Sequence, residues 1–139
     1  MPHRDADPLA TLDGDVVELT VPAESAYLAV VRTATAGLAA RLSFSLDEIE
    51  DLRIAVDEAC VMLLSLPEPR ATESSLTCRF AVLPDGLEVT VSAPVSDRAM
   101  LPPEHSFAWQ VLTAHITSVS GKAGGGNASI VLTKRRSAR

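Results

Sequence analysis

Ser45-Leu46-Asp47-Glu48-Ile49-Glu50-Asp51-Leu52-Arg53-Ile54-Ala55-Val56-Asp57-Glu58-Ala59-Cys60-Val61-Met62-Leu63-Leu64 is the stretch on which the fold turns. A serine with a glutamate three residues on reads as a capping box, in which Ser45 takes the amide of Glu48 and the Glu48 carboxylate reaches back to the amide of Ser45. Ile49, Leu52, Val56, Ala59 and Leu63 then recur at helical spacing, so a helix is predicted over residues 46–66, stopped by Pro67 and Pro69. A second line, Ile54, Glu58 and Met62, lies roughly opposite Val56 at about 100° per residue. Both faces are thus largely covered, and an ionised Glu58 between apolar neighbours needs a partner, a water or a ligand. Two readings stay open for it: a carboxylate reaching solvent or an arginine such as Arg53, and the floor of a ligand pocket.

Upstream, Val17, Leu19 and Val21 alternate with Glu18 and Thr20, the pattern of a half-buried strand that Pro22 ends. Residues 23–42 change to helical spacing, with Tyr27, Val30, Val31, Ala34 and Leu38 as the core stripe and Arg32, Thr33 and Thr35 facing away from it. Downstream, residues 76–83 and 87–95 flank the turn Pro84-Asp85-Gly86 as a hairpin. A loop punctuated by Pro94, Pro102 and Pro103 leads to a helix over 106–119. Gly121 to Asn127 reads as a flexible connector, because a phosphate-binding loop follows a strand and opens a helix, whereas this one precedes the strand Ile130-Val131-Leu132-Thr133. Residues 1–14 are expected to be a disordered leader, 15–136 the domain, and 137–139 a tail, with Lys134, Arg135, Arg136 and Arg139 solvated. The element order predicts an α+β two-layer sandwich, a mixed, mostly antiparallel sheet covered on one face by helices.

Composition narrows the function classes. A chain of 139 residues, 47% hydrophobic and 22% charged, suits one folded domain. Eighteen acidic against twelve basic residues, a net charge of −6, disfavours a direct grip on nucleic acid or anionic lipid and favours a protein partner or small ligand. With only 4% aromatic residues the core must be aliphatic. Cys60 and Cys78 form no CxxC pair and are expected to be reduced and buried. His3, His105 and His115 show no ligand spacing, so no metal site is expected; His115 reads as structural. No GxSxG elbow is present, and no run reaches the roughly 18 apolar residues of a membrane span, so the chain is expected to be cytoplasmic.

Asp51-Leu-Arg-Ile-Ala-Val-Asp-Glu-Ala-Cys60, after a strand and a helix and with the closing Ser129-Ile-Val-Leu-Thr-Lys134, resembles the second helix and last strand of bacterial anti-sigma-factor serine kinases of the RsbW type, within the histidine-kinase-like (Bergerat) ATPase superfamily. The resemblance covers roughly residues 16–136 and implies that fold together with three nucleotide motifs. Glu58 matches the family's base and water organiser, but Met62 stands where an asparagine would hold Mg²⁺, and a thioether is a poor ligand for a hard cation. Ala93 stands where an aspartate would bind the adenine amino group, and no glycine follows it in Val91-Ser-Ala-Pro-Val-Ser-Asp97. In Ser106-Phe-Ala-Trp-Gln110, Phe107 and Trp109 stand where lid glycines would let backbone amides close on phosphates. Bound Mg-ATP and phosphoryl transfer are therefore not expected. The resemblance further implies a homodimer, an alternative (stress or development) sigma factor as partner, a competing STAS-type anti-anti-sigma factor, and a contact role for the first-helix arginine, Arg32. Two alternatives accompany this anti-sigma reading. One is an active serine/threonine kinase of the antagonist with Glu58 as catalytic base; the other is a sensor in which Trp109 stacks on another nucleotide or small ligand, set against Phe107 and Trp109 simply plugging the old cavity.

Overall fold

The computed structural model describes residues 12–69 and 74–137. Strand β1 (Val16–Pro22) leads through a 3-10 turn (Ser25–Tyr27) into helices α1 (Leu28–Arg41) and α2 (Leu46–Leu64). The hairpin β2 (Ser75–Leu83) and β3 (Gly86–Pro94), helix α3 (Phe107–His115) and the hairpin β4 (Ser118–Gly124) and β5 (Asn127–Arg135) follow. The strands form one five-stranded sheet in the order β1-β2-β3-β5-β4. Every neighbouring pair is antiparallel, so the α+β sandwich stands and the expected mixed sheet resolves into a wholly antiparallel one.

Alternation along the central strands makes the core. Cys78, Phe80, Val89, Val91, Ile130 and Leu132 face inward and are buried, while Thr77, Arg79, Thr90 and Thr133 lie on the other face. Helix α2 packs on α1, on α3 and on β3 and β5, so it runs through the centre of the helical layer. Its capping box forms: the Ser45 hydroxyl accepts from the Glu48 amide at 3.2 Å, and Glu48 Oε1 accepts from the Ser45 amide at 2.8 Å. Leu52, Val56, Ala59 and Leu63 are buried as the stripe predicts, and Ala55, Cys60 and Met62 are buried beside them. Cys60 on α2 and Cys78 on β2 are free, buried and in contact; the hydrogen bond to Cys78, then burial, pushes the Cys60 thiol up.

Several expectations are corrected. The first helix begins at Leu28, and its buried positions are Leu28, Val31, Thr35 and Ala39; Tyr27 and Val30 are exposed. Thr35 can enter the core because its hydroxyl donates to the Val31 carbonyl at 2.8 Å, leaving no polar group bare. Helix α1 ends in a Schellman turn, with Ser43 at φ 66° and the amides of Ser43 and Phe44 bonded to the Ala40 and Ala39 carbonyls. Helix α3 stops at His115, and Ser118 to Gly124 is a paired strand, not a connector. The turn lies at Gly125 and Gly126, both at positive φ.

The ends of the chain are also more attached than expected. Leu12 packs partly against the core and Gly14 donates to the Val82 carbonyl, so residues 12–14 belong to the fold; residues 1–11 of the expected leader lie outside the described residues, as do 138–139 of the tail. Lys134 and Arg135 lie in β5 and are paired, Arg135 with Asp85.

Candidate functional site

Glu58 and Met62 stand one turn apart on α2. Glu58 is half-buried, and among the described residues it has no hydrogen-bond or ion-pair partner; the expected Arg53 contact goes to Glu50 instead, at 3.5 Å. Burial, and after it the charge of neighbouring Asp57, raises the Glu58 carboxyl above its ordinary value. Met62 is 4% exposed and so brings an enclosed thioether, not an oxygen, to this line of the helix. Ala93 is buried on the inward face of β3, paired with Ala128 of β5, and offers only a methyl group. Among the described residues no group of three or more His, Cys, Asp and Glu side chains is placed to hold a metal ion.

The two aromatic residues of α3 behave differently from one another. Phe107 is 78% exposed and fills no cavity. Trp109 is 8% exposed; its indole N–H donates to the Pro102 carbonyl at 2.6 Å. Its ring lies over β4, where only a glycine fits: a Cβ on Gly121 would stand 2.8 Å from Trp109 Cη2 and 2.9 Å from Leu101 Cδ1. Beside it, Glu104, Trp109, Thr113 and Ser120 help line a cleft of about 410 Å³.

Arg32 lies across from α2, its guanidinium 3.5 Å from Asp57, the residue before Glu58. Between α1 and α2 a cleft of about 500 Å³ is lined by Ala29, Arg32, Thr33, Ala36, Gly37 and Arg53. Small side chains floor it, and two guanidinium groups edge it. Arg53 Nε and Asp57 Oδ1 are enclosed yet have no hydrogen-bond partner, so the Arg32–Asp57 attraction is an ion pair without a seated hydrogen bond. Such a cleft can take a carboxylate, to which guanidinium groups donate in a fixed fork.

Two polar clusters have no counterpart in the sequence reading. Glu48 Oε2 accepts from both the amide (2.6 Å) and the hydroxyl (2.7 Å) of Ser137, fastening the segment that follows β5 to the start of α2. Burial alone would raise this carboxyl; the hydrogen bonds from Ser137 and Ser45 outweigh it and hold it at about 2. Asp51 on α2 meets His115 Nδ1 at 2.9 Å and Lys134 Nζ at 3.2 Å, and Lys134 also donates to the His115 carbonyl at 3.0 Å. Burial opposes ionisation of Asp51 as well, but these bonds and the two neighbouring charges hold its carboxyl below the usual range. The partners are 64 and 83 residues away in the chain, a distance over which residue spacing carries no signal.

Comparison with known proteins agrees with this architecture. Residues 21–119 match the profile of the histidine kinase-like ATPase domain. The serine-protein kinase RsbW of Bacillus subtilis (strain 168) is 38% identical over 80 residues, covering 58% of this chain and 50% of the relative. The protein of the same name from Bacillus cereus (strain ATCC 10987 / NRS 248) is 34% identical over 76 residues, covering 55% and 47%. The chain thus spans about half the length of these curated relatives. Among solved structures, the RsbU and RsbW domains of a Mycobacterium tuberculosis protein superpose with a TM-score of 0.66 at 16% identity, over 90% of this chain and 33% of that one. Among the described residues no helix is long and apolar enough to cross a membrane. With its antiparallel sheet, its central capped helix and a profile match over most of its length, this chain belongs to the histidine kinase-like ATPase domain family.

Proposed function

We propose that this chain is an anti-sigma factor that sequesters an alternative sigma factor in the cytoplasm, is displaced by a STAS-type anti-anti-sigma protein, and works as a homodimer without transferring phosphate. The observation that carries the last point is Met62: an enclosed thioether supplies no oxygen to Mg²⁺ at the helix position one turn from Glu58. Ala93 offers no hydrogen-bond acceptor to a base, and the Trp109 side chain occupies the first turn of α3. These residues do not fit magnesium triphosphate, and no step is routed through it. Partner recognition is assigned to the α1–α2 cleft, lined by Arg32 and Arg53, whose 3.5 Å contacts to Asp57 and Glu50 a partner's carboxylate would replace. Release then rests on competition, and an antagonist shifts the equilibrium only through its own differential affinity.

Gel filtration of the protein with its sigma factor tests this: a stable complex is expected, lost in Arg32→Glu, and no complex at micromolar concentrations overturns it. A second reading, a serine kinase of the antagonist, draws on the names of the curated relatives and on Glu58, whose raised carboxyl suits a base. It requires phosphate transfer from labelled ATP to a STAS-domain protein, abolished by Glu58→Gln; the proposal expects none. The sensor reading draws on the cleft of about 410 Å³ that Trp109 helps line, and requires Trp109 emission to respond to a panel of nucleotides; the proposal expects no response.

A further inference from the structure

Helix α3 has no side-chain cap at its start, where the buried Trp109 side chain and its bond to the Pro102 carbonyl are the anchor. It has nine residues, fewer than an isolated helix needs for stability in water, and only Trp109 and Leu112 are buried. Its N-cap, Ser106, makes no side-chain cap bond, its first turn carries no acidic residue, and the enclosed Ser106 hydroxyl has no hydrogen-bond partner. Its other end is different. There one carboxylate and one ammonium join three elements: Asp51 of α2 takes the His115 ring and Lys134 of β5, and Lys134 donates to the carbonyl of His115 itself. That carbonyl is among those a helix C-terminus leaves unpaired. The Lys134 side chain is 14% exposed, so salt screens this pair less than it screens a surface pair.

We propose that Asp51, Lys134 and His115 form a clasp that sets the docked position of α3, so that α3 lifts from α2 as a unit when the clasp opens while α2 and the sheet stay folded. The segment at Leu101 and Pro102 travels with it, because the Trp109 indole is bonded to the Pro102 carbonyl. Lys134 is the central member: without it the Asp51 carboxylate of α2 and the His115 carbonyl of α3 each lose a donor. Nothing in this inference depends on the sigma-factor reading.

Native-state hydrogen exchange on the full chain tests it, with Trp109, the only tryptophan, as optical reporter. In Lys134→Met and in Asp51→Asn, amides of residues 111–115 are expected to exchange about tenfold faster or more, and Trp109 emission to move to longer wavelength, while α2 amides change by less than about threefold. His115→Gln, whose amide can still donate to Asp51, should restore most of the protection that His115→Ala loses. Unchanged exchange in α3 overturns the clasp. So does equal acceleration in α2 and α3, or loss of the fold in both charge variants, since either makes the cluster part of the global core.

Discussion

Helices α2 and α3 both start from a serine in extended conformation, Ser45 at φ −69° and ψ 164°, Ser106 at φ −70° and ψ 162°, yet only Ser45 caps its helix. The backbone presents the hydroxyl equally well in both places. What differs is the third helical residue: Glu48 follows Ser45 and returns the bond, while Trp109 follows Ser106 and turns its indole away to Pro102. Helix α2 is thus fixed at its N-terminus and along its length, whereas α3 relies on two buried side chains and on charges at its C-terminus. Reciprocity of the cap, rather than the presence of a serine, separates a framework helix from a docked one.

The sharpest way to break this contrast is in the body of α2. Leu52 is fully buried, and Leu52→Ala is expected to lower global stability by about 2–5 kcal/mol in denaturant unfolding. Next comes Glu48→Ala, expected to cost about 1.5–3 kcal/mol, because it strips three donors of a charged acceptor. The same carboxyl gives a pH signature. Its folded value of about 2 lies below the ordinary 4.5, so the unfolded chain binds the proton more readily. The stability it contributes is present in full above pH 4.5 and is lost as pH falls toward 2; a melting series across that window should show the loss in the parent and much less of it in Glu48→Ala. A smaller and more pointed test pairs the two serines. Ser45→Ala should cost about 0.5–2 kcal/mol, while Ser106→Ala should be near neutral, since its hydroxyl makes no bond. Equal losses would remove the distinction drawn between the caps. Smallest of all is Arg53→Gln: its pair with Glu50 is exposed, and a change within about 0.5 kcal/mol is expected.

Helix α2 was legible in the sequence because two signals coincide there, a capping box and an apolar stripe at helical spacing. Helix α1 is legible as a helix but not in its phase. In Leu-Ala-Val-Val-Arg-Thr-Ala-Thr-Ala-Gly-Leu-Ala-Ala-Arg small residues lie on every side, so hydropathy does not separate the faces, and a threonine that bonds its own helix is free to be buried. Strand β4, Ser-Val-Ser-Gly-Lys-Ala-Gly, shows weak alternation and glycine where strands usually avoid it; one of those glycines, Gly121, is there for the ring of Trp109. Glu58, Met62, Ala93 and Arg32 are named from local sequence and resemblance because each reading stays within a single element. The position of Arg53 at the cleft, the Ser137 bonds to Glu48 and the Lys134–Asp51–His115 cluster are not legible there, because each depends on side chains meeting across elements.

The paired thiols add a practical consequence. Cys60 and Cys78 are fully enclosed at the junction of α2 with the sheet, so an alkylating reagent reaches them only when that junction parts. Labelling rate is therefore a clock for whole-domain opening that runs blind to the lifting of α3, and mass spectrometry of two added labels reads it without any engineered probe.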